Sequence, residues 1–364
     1  MSDCCDLSAT KKFVKFPSIN QYINVSNNLK KWSKRFDSDI EKITINGTVK
    51  VHGCNMGIGY WCDDTVTLQS RNINITETGI DQFSFGDYVS KLGGDDFIKD
   101  LLKQHLNDAK AVFIFGEFFG KGIQKFVAVN EIERSYMVFD IVRVYSSKDE
   151  DDKTINTWDF EQLSLSDIPS FPELNFYRSI DFQQFDYDID IYDNNTNKEL
   201  IEFTIENVEN KCPVATSIKS ESELECKIGE GIVWKGIAKL TNGMEKKFIF
   251  KTKGDEHKRS QGTIKSTKKS KFTPEQIEAI DKFYEIALTN DRLEQGIEVL
   301  KESTGGNDLE IKQIGEYIKW VIYDIRKEHE YDYDEIVKPY GIVWKDLNKV
   351  INQDTRNYFI DKLK

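Results

Sequence analysis

Apolar and polar residues alternate with a period of two in several short segments of the first ~255 residues, as expected for β-strands that bury one face. The segment KITINGTVKV alternates on both sides of Asn46-Gly47, a dipeptide that favours tight turns, and predicts a β-hairpin. A second strand pair is predicted around Asp63-Asp64 in MGIGYWCDDTVTL. Four more strands are predicted in AVFIFGEFFG, SYMVFDIVRVY, GEGIVWKGIAKL and KKFIFKTK, and the first two are too apolar for the edge of a sheet.

Helical spacing of apolar residues occurs once in the first part of the chain and throughout its last part. Residues 95–106, DDFIKDLLKQHL, predict an amphipathic helix. The stretch GDEHKRSQGTIKSTKKSK, residues 254–271, lacks apolar periodicity and predicts a linker. Thr273 and Gln276 then form a capping-box pattern, with Pro274 at the first helical position. The sequence therefore predicts that a helix begins here.

The C-terminal part carries three apolar stripes at helical spacing, which we interpret as the cores of helices. Gly305-Gly306 separates the second stripe from the third. The stripes are Ile277, Ile280, Tyr284 and Ala287; Leu293, Ile297 and Leu300; and Ile311, Ile314, Ile318 and Val321. The sequence thus predicts an α+β region in residues 1–255, a basic linker in 256–272 and a small all-helical domain in 273–364.

The composition excludes several classes of protein. Hydrophobic residues make up 39% of the 364 residues, enough for a globular core, and no apolar run approaches the ~20 residues of a membrane span. The start, MSDCCDLSATKK, lacks the features of secretory and transit signals. Six cysteines without a C-x-x-C pair and four histidines without H-E-x-x-H spacing predict reduced thiols and no protein-held zinc. We therefore expect an intracellular, cytoplasmic protein that does not bind membranes.

Charge is distributed unevenly along the chain. The net charge of −12 argues against binding nucleic acid over the whole surface. Residues 246–271, however, hold ten Lys or Arg against two acids, and residues 11–35 form a weaker basic region. Each charge run could equally be a solvated surface, but a basic strip on an acidic protein allows a localised phosphate-binding face.

The segment VKVHGCNMG, residues 49–57, places a lysine and a histidine two residues apart, directly before a glycine. A lysine attacks a nucleotide phosphorus only as a neutral amine, and desolvation and nearby cations favour that form. Later segments carry residues that could build such a site: Glu117 in FGEFFG, Phe139 in VFDIV, Glu230 and Lys235 in EGIVWK, and Lys251 and Lys253 in FKTK. Each alone is common as a surface cation, a hydrogen-bonded acid or a core aromatic. Their order, each on a predicted strand and all before a basic linker, is specific.

This order of motifs resembles the covalent nucleotidyltransferase superfamily of ligases and capping enzymes. Within it the chain is similar to the nick-sealing RNA ligases of the second phage type, the branch that includes the kinetoplastid RNA-editing ligases. The similarity covers residues 49–253, and FGEFFGKGIQKFV followed by YMVFDI is its most specific part. The resemblance implies a nucleotidyltransferase domain, with an ATP-grasp-like ligase fold of antiparallel sheets and flanking helices, followed by a helical tail.

The resemblance implies a role for each residue of the first motif. Lys50 would form the lysyl–AMP intermediate, and the backbone carbonyl of Val49 would bind the adenine amino group. His52 occupies a position where DNA ligases and capping enzymes usually have aspartate, and it would serve the final sealing step. Asn55 would lie near the phosphate or a metal-bound water. Arg71, on the following strand, would also contact the nucleotide.

The later motifs are assigned in the same way. Glu117 would accept a hydrogen bond from a ribose hydroxyl, and Phe139 would stack on adenine. Glu230 would hold a divalent metal, directly or through water. Three lysines would neutralise phosphate charge and favour the neutral amine of the nucleophile: Lys235, Lys251 and Lys253. Fixed cations and Mg²⁺ stabilise charge that develops on phosphoryl oxygens.

The implied activity is an ATP-dependent RNA ligase that seals 3′-hydroxyl and 5′-phosphate ends in RNA repair. ATP and Mg²⁺ would be the cofactors, with Mn²⁺ as a substitute, and duplex or bridged RNA would be the substrate. In this branch the helical tail acts on RNA ends more than on self-adenylylation. Two alternatives stay open: an mRNA guanylyltransferase or ATP-dependent DNA ligase, and a catalytically silent RNA-binding protein on the same scaffold.

Overall fold

The computed structural model describes residues 12–124, 126–146, 158–254, 272–304 and 309–363. Within these ranges there are eleven strands, which are β1 (Asn20–Gln21), β2 (Ile43–Lys50), β3 (Cys54–Trp61), β4 (Val66–Ser70), β5 (Ala111–Phe119), β6 (Ser135–Ser146), β7 (Trp158–Gln162), β8 (Phe176–Arg178), β9 (Gln184–Ile189), β10 (Gly231–Lys239) and β11 (Glu245–Lys253). The same ranges contain ten α-helices, which are α1 (Tyr22–Arg35), α2 (Ile75–Thr78), α3 (Phe85–Leu92), α4 (Gly94–Leu102), α5 (Thr196–Thr204), α6 (Pro213–Ile218), α7 (Pro274–Ala287), α8 (Asn290–Ser303), α9 (Ile314–Asp332) and α10 (Trp344–Lys362). The α+β prediction is confirmed.

The described chain forms two compact units, each made of several segments. The first unit draws on Met1–Ser18, Gly47–Phe185 and Asn210–Glu230, and the second on Ile19–Asn46, Asp186–Glu209 and Gly231–Lys364. The predicted linear division at residues 255 and 273 is a different kind of boundary and stays a prediction. The predicted linker falls mostly on residues 255–271, outside the described ranges.

The first unit is built on a six-stranded sheet. Its main strand order is β4-β3-β5-β6-β7, and β8 pairs with β6. The predicted strand pair in 56–68 is confirmed as β3 and β4, and β5 and β6 lie inside the sheet, as their apolar sequences predicted. The predicted helix in 95–106 is confirmed as α4, which ends at Leu102 and continues as a 3-10 turn to His105. Residues from α3 and α4, including Phe85 and Ile98, pack with β3 and β5 in one apolar core.

A second sheet has five strands in the order β1-β11-β10-β2-β9. Strands β10 and β11 are antiparallel and pair without a register shift, from Gly231 opposite Lys253 to Lys239 opposite Glu245. Tyr22 of α1 packs on Phe250 of β11, with 5.1 Å between the ring centroids. The predicted strands GEGIVWKGIAKL and KKFIFKTK are confirmed.

The predicted β-hairpin at Asn46-Gly47 is wrong, because residues 43–50 form the single strand β2. A type I′ turn needs positive φ angles at both central residues, and neither residue has one. The Asn46 side chain instead donates a 2.6 Å hydrogen bond to Asp186, and Thr44 donates a 2.7 Å hydrogen bond to Asp188. The side-chain partners on β9 therefore favour an extended chain where the local sequence favours a turn.

The C-terminal part is helical, as predicted. Thr273 accepts a hydrogen bond from the Gln276 N–H at 3.3 Å, and the Gln276 side chain accepts one from the Thr273 N–H at 3.0 Å. This reciprocal capping box starts α7. Most residues of the predicted stripes are buried in one helical core. Ile277 and Ile314 are half-buried, and Ile311, which lies in a 3-10 turn before α9, is 61% exposed. Among the described helices, none is both long enough and apolar enough to cross a membrane.

Replacing Thr273 by alanine tests the start of α7. We expect Thr273→Ala to lower the free energy of unfolding by about 1 kcal/mol, because the N–H of Gln276 loses its acceptor. Urea denaturation of the full chain measures this change. Thr273→Ser keeps the hydroxyl and should stay close to the unsubstituted protein. An equal loss in both variants would show that the cap does not stabilise the helix.

Candidate active site

Lys50 is the last residue of β2, and its side chain reaches a buried carboxylate in the first unit. Its Nζ donates to Oε2 of Glu230 at 2.6 Å, and His52 Nδ1 lies 3.7 Å from the same oxygen. The Glu230 side chain is 1% exposed, whereas that of Lys50 is 21% exposed. An ionised carboxylate this deeply buried needs a cation beside it. The pair therefore fixes the Lys50 amine at a defined point.

The link between β2 and β3 brings this amine beside β5. It has only three residues, 51–53, and the Gly53 N–H donates to Oε1 of Glu117 at 3.1 Å. A Cβ atom at position 53 would lie 2.3 Å from the carbonyl oxygen of Phe118, so the approach requires glycine. The short link can lie against β5 because residue 53 is glycine.

Glu117 has a strongly perturbed carboxyl group. Burial raises its pKa to about 7, although the residue keeps some exposure. The charge of Lys50 lowers the pKa, that of Glu230 raises it, and the Gly53 N–H and the charge of Arg71 lower it, so burial outweighs the favourable contacts. Near neutral pH the carboxyl group therefore exists both as a hydrogen-bond donor and as an acceptor-only carboxylate.

Phe139 lies in a β-bulge between β5 and β6. The register shifts between Phe115 and Gly116 of β5, and Phe139 is the residue of β6 left between two paired neighbours. A bulge turns the side chain of its extra residue away from the regular alternation. The half-buried ring of Phe139 lies edge-on to Phe16, with 5.1 Å between the centroids. The Phe139 ring thus packs against a second aromatic ring.

The other predicted residues of the first unit surround these groups. Asn55 pairs with Glu117 across β3 and β5, and Val49 is buried in β2. Arg71 is exposed and donates to the Ser18 hydroxyl at 2.8 Å, while its charge acts on Glu117. The first unit therefore brings Lys50, His52, Arg71, Glu117 and Glu230 into one electrostatic neighbourhood.

The three remaining predicted residues lie in the second unit. Because β10 and β11 pair in regular register, Lys235, Lys251 and Lys253 share one face of their sheet. Thr252 points to the opposite face, where its hydroxyl meets the Trp234 indole N–H at 2.9 Å.

The sequence pattern of the RNA ligase family matches residues 43–253, more than half of the chain. The chain belongs to the RNA ligase family. All predicted site residues of this RNA ligase family member, from Val49 to Lys253, lie in the matched range.

Solved structures of Naegleria gruberi RNA ligase are also similar to this chain. A mutant of that ligase with AMP and Mn is 15% identical with a TM-score of 0.39, and the ligase with PPi is 17% identical with the same TM-score. In both cases the similarity covers 68% of this chain and 58% of the other. The family member thus spans less than two thirds of the Naegleria ligase. No curated protein sequence matches the chain described in this structure.

Two contacts of the site were not predicted from the sequence. Phe16 supports Phe139, but it lies in a segment without apolar periodicity. Lys50 pairs with Glu230, which is 180 residues away along the chain. The sequence also predicted cations beside the nucleophile, whereas the contact that the first unit provides is an anion. No local pattern signals any of these pairings.

Glu117→Gln tests the pKa of the buried carboxyl. A folded-state pKa of about 7, above the ordinary value of 4.5, means that Glu117 stabilises the fold below pH 4.5 and that this contribution is lost as the pH rises towards 7. At about 1.4 kcal/mol per pKa unit, the loss is on the order of 3 kcal/mol or less. Between pH 4.5 and 7, the thermal stability of the unsubstituted protein should therefore fall relative to that of Glu117→Gln. Thermal unfolding measured at a series of pH values gives both profiles. Glu173→Gln, at an exposed position of the same unit, is the control and should leave the pH profile unchanged. Parallel profiles for the protein and Glu117→Gln would contradict the perturbed pKa.

Proposed function

We propose that this protein is an ATP-dependent RNA ligase that seals breaks with 3′-hydroxyl and 5′-phosphate ends through a covalent lysyl–AMP intermediate, and that it repairs nicked RNA. The observation that carries the proposal is the position of Lys50. Within the family-matched range, its amine is held at the end of β2 beside Glu230, His52 and Glu117.

In the first step the Lys50 amine attacks the α-phosphorus of ATP. A phosphorus–nitrogen bond forms, the amine loses a proton and pyrophosphate leaves. The 2.6 Å hydrogen bond to Glu230 occupies the Lys50 amine and directs it away from an incoming phosphate, so this contact opposes the attack. The proposal therefore requires Glu230 to release Lys50 when the nucleotide binds. Lys50 would thus be released from Glu230 and become able to attack only when ATP is bound.

The adenosine of ATP would be held by groups already in place. The bulged ring of Phe139 offers an aromatic face for adenine, and the buried Val49 offers its backbone carbonyl. The Glu117 carboxyl would accept a hydrogen bond from a ribose hydroxyl in its ionised form. Because the pKa of Glu117 is about 7, ATP binding should favour ionisation of this group.

The donor set fits a magnesium ion at Glu230. Mg²⁺ is usually held by one or two carboxylates together with substrate phosphates and water, and Glu230 provides one carboxylate beside Lys50. The described residues contain no group of three or more His, Cys, Asp or Glu side chains that would hold a metal without substrate. When bound, the ion would neutralise phosphate charge during transfer. Mn²⁺ would take the same place.

The second and third steps use RNA. A 5′-phosphate oxygen attacks the lysyl–AMP phosphorus, and Lys50 leaves as an amine. The 3′-hydroxyl then attacks the activated 5′-phosphate and AMP leaves. His52 would serve this last step, and Asn55 and Arg71 would contact phosphate groups. The three lysines on one sheet face, Lys235, Lys251 and Lys253, would neutralise phosphate charge.

Covalent labelling tests the first step. The full chain is incubated with α-labelled ATP or GTP and Mg²⁺, and labelled protein is separated under denaturing conditions. We expect a label from ATP that is absent in Lys50→Ala. Lys42→Ala, an exposed lysine just before the same strand, is the control and should keep the label. A label from GTP alone would indicate a guanylyltransferase, and RNA binding without any label would indicate a silent RNA-binding protein.

A panel of nicked duplexes tests the substrate. We expect sealing when RNA provides the 3′-hydroxyl side of the nick, and weaker sealing when DNA does. His52→Ala should form lysyl–AMP but accumulate the adenylylated 5′ end, because His52 acts in the last step. Equal sealing of all-DNA nicks would favour the DNA-ligase alternative.

A further inference from the structure

Glu328 of α9 contacts one of the predicted phosphate-binding lysines within the second unit. The Nζ atom of Lys251 on β11 lies 3.3 Å from Oε1 and 3.0 Å from Oε2 of Glu328. The side chains are 16% and 11% exposed, so this ion pair is largely shielded from water. A helix of the C-terminal part therefore holds the ammonium group of a residue that the family resemblance assigns to the nucleotide.

The charges around Glu328 keep it ionised. Burial raises its pKa, but the charge and hydrogen bond of Lys251 and the charges of Lys253 and Arg292 lower it to about 2. Glu328 is thus the shared counter-ion of two lysines that lie on one strand face. Without it, like charges two residues apart on β11 would repel each other.

The helix around Glu328 is held by a second set of polar contacts. Arg292 of α8 donates to Asp324 at 2.8 Å and contacts His329 Nε2 at 3.0 Å. His329 in turn contacts Asp332 at 2.8 Å and has non-helical backbone angles, φ −124° and ψ 27°. This network fixes the helix at the residue directly after Glu328. The backbone that carries the Glu328 carboxylate is therefore held in place by these contacts.

We propose that Glu328 is a positioning residue for Lys251 and that the C-terminal helices thereby contribute to ATP binding. This inference rests on the proposed function. It extends the role of these helices, because the family resemblance assigns the helical tail to work on RNA ends more than to self-adenylylation.

The direction of the effect follows from the geometry of the ion pair. A lysine side chain loses rotamer entropy when it is fixed. Glu328 fixes Lys251 before the nucleotide arrives, so less of this entropy is lost on binding. A cation held in place also stabilises phosphate charge without reorganisation.

Equilibrium ATP binding tests the proposal. The measurements use the full chain with Lys50→Ala, which removes the nucleophile so that bound ATP is not consumed. In this background we expect Glu328→Gln to raise the Kd for ATP by roughly three- to tenfold. This is the range expected if Lys251 has to lose part of its rotamer entropy when ATP binds. Glu316→Gln, at an exposed position on the same helix, is the matched control and should not change the Kd. An unchanged Kd for Glu328→Gln would overturn the proposal, and so would a lower one, since that would mean that Glu328 competes with phosphate.

A double-mutant cycle separates positioning from folding. Lys251→Met is combined with Glu328→Gln, so that neither partner is left alone in a shielded site. If Glu328 acts through Lys251, adding Glu328→Gln to Lys251→Met should leave the Kd unchanged. A further three- to tenfold rise in this background would indicate a general structural effect and overturn the proposal. Thermal unfolding of each variant identifies any loss of folded protein.

The two proposals fail in different ways. Lysyl–AMP formation is first measured in the chain with Lys50 intact. If no lysyl–AMP forms, the proposed function fails. If it forms and Glu328→Gln forms it at the same rate and ATP concentration dependence, the function stands and the positioning role of Glu328 is wrong.

Discussion

The ion pair between Lys50 and Glu230 is the constraint on which the site of the first unit depends. It joins a strand end to a residue 180 positions later, and the segment that carries Glu230 is itself anchored. The Ala128 N–H donates to the Ile228 carbonyl at 2.9 Å, two residues before Glu230. Burying a charge is costly unless it is paired, and the buried Glu230 carboxylate has Lys50 at 2.6 Å and His52 Nδ1 at 3.7 Å from one oxygen. Chemistry at the amine therefore changes the contacts of Glu230 as well.

The groups around this pair are placed by departures from regular β-structure. Gly53 allows a three-residue link to lie against β5, where any side chain would collide with the Phe118 carbonyl. The bulge at Phe139 turns an aromatic ring out of the regular alternation of β6. Between these two irregularities runs β5, whose Glu117 is buried enough to have a pKa of about 7. The regular strands thus form the sheet, and the irregular positions at Gly53 and Phe139 place side chains of the candidate site.

The sequence predicted strands β3, β4, β5, β6, β10 and β11 and helices α4, α7, α8 and α9, because their apolar periodicity is local. The motif residues were assigned from the resemblance to the family, and their roles stay predictions. Asn46-Gly47 misled the prediction, since acids on β9, more than 130 residues later, bind the side chains of β2. Ile311 has helical spacing but is exposed, because spacing does not reveal where a helix begins. The ion pairs of Lys50 and Lys251 have no local signal either, because tertiary structure alone brings their partners close.

The alternation along β11 limits how this region of the chain can vary in length. Lys251 and Lys253 flank Thr252, whose hydroxyl is buried against the Trp234 indole. Inserting or deleting a single residue within the paired part of β10 or β11 would exchange the two faces, drive ammonium groups into the apolar interior and expose the threonine. The connecting turn, residues 240–244, is therefore the part of this hairpin where a single-residue length change leaves the side chains of both strands on their present faces.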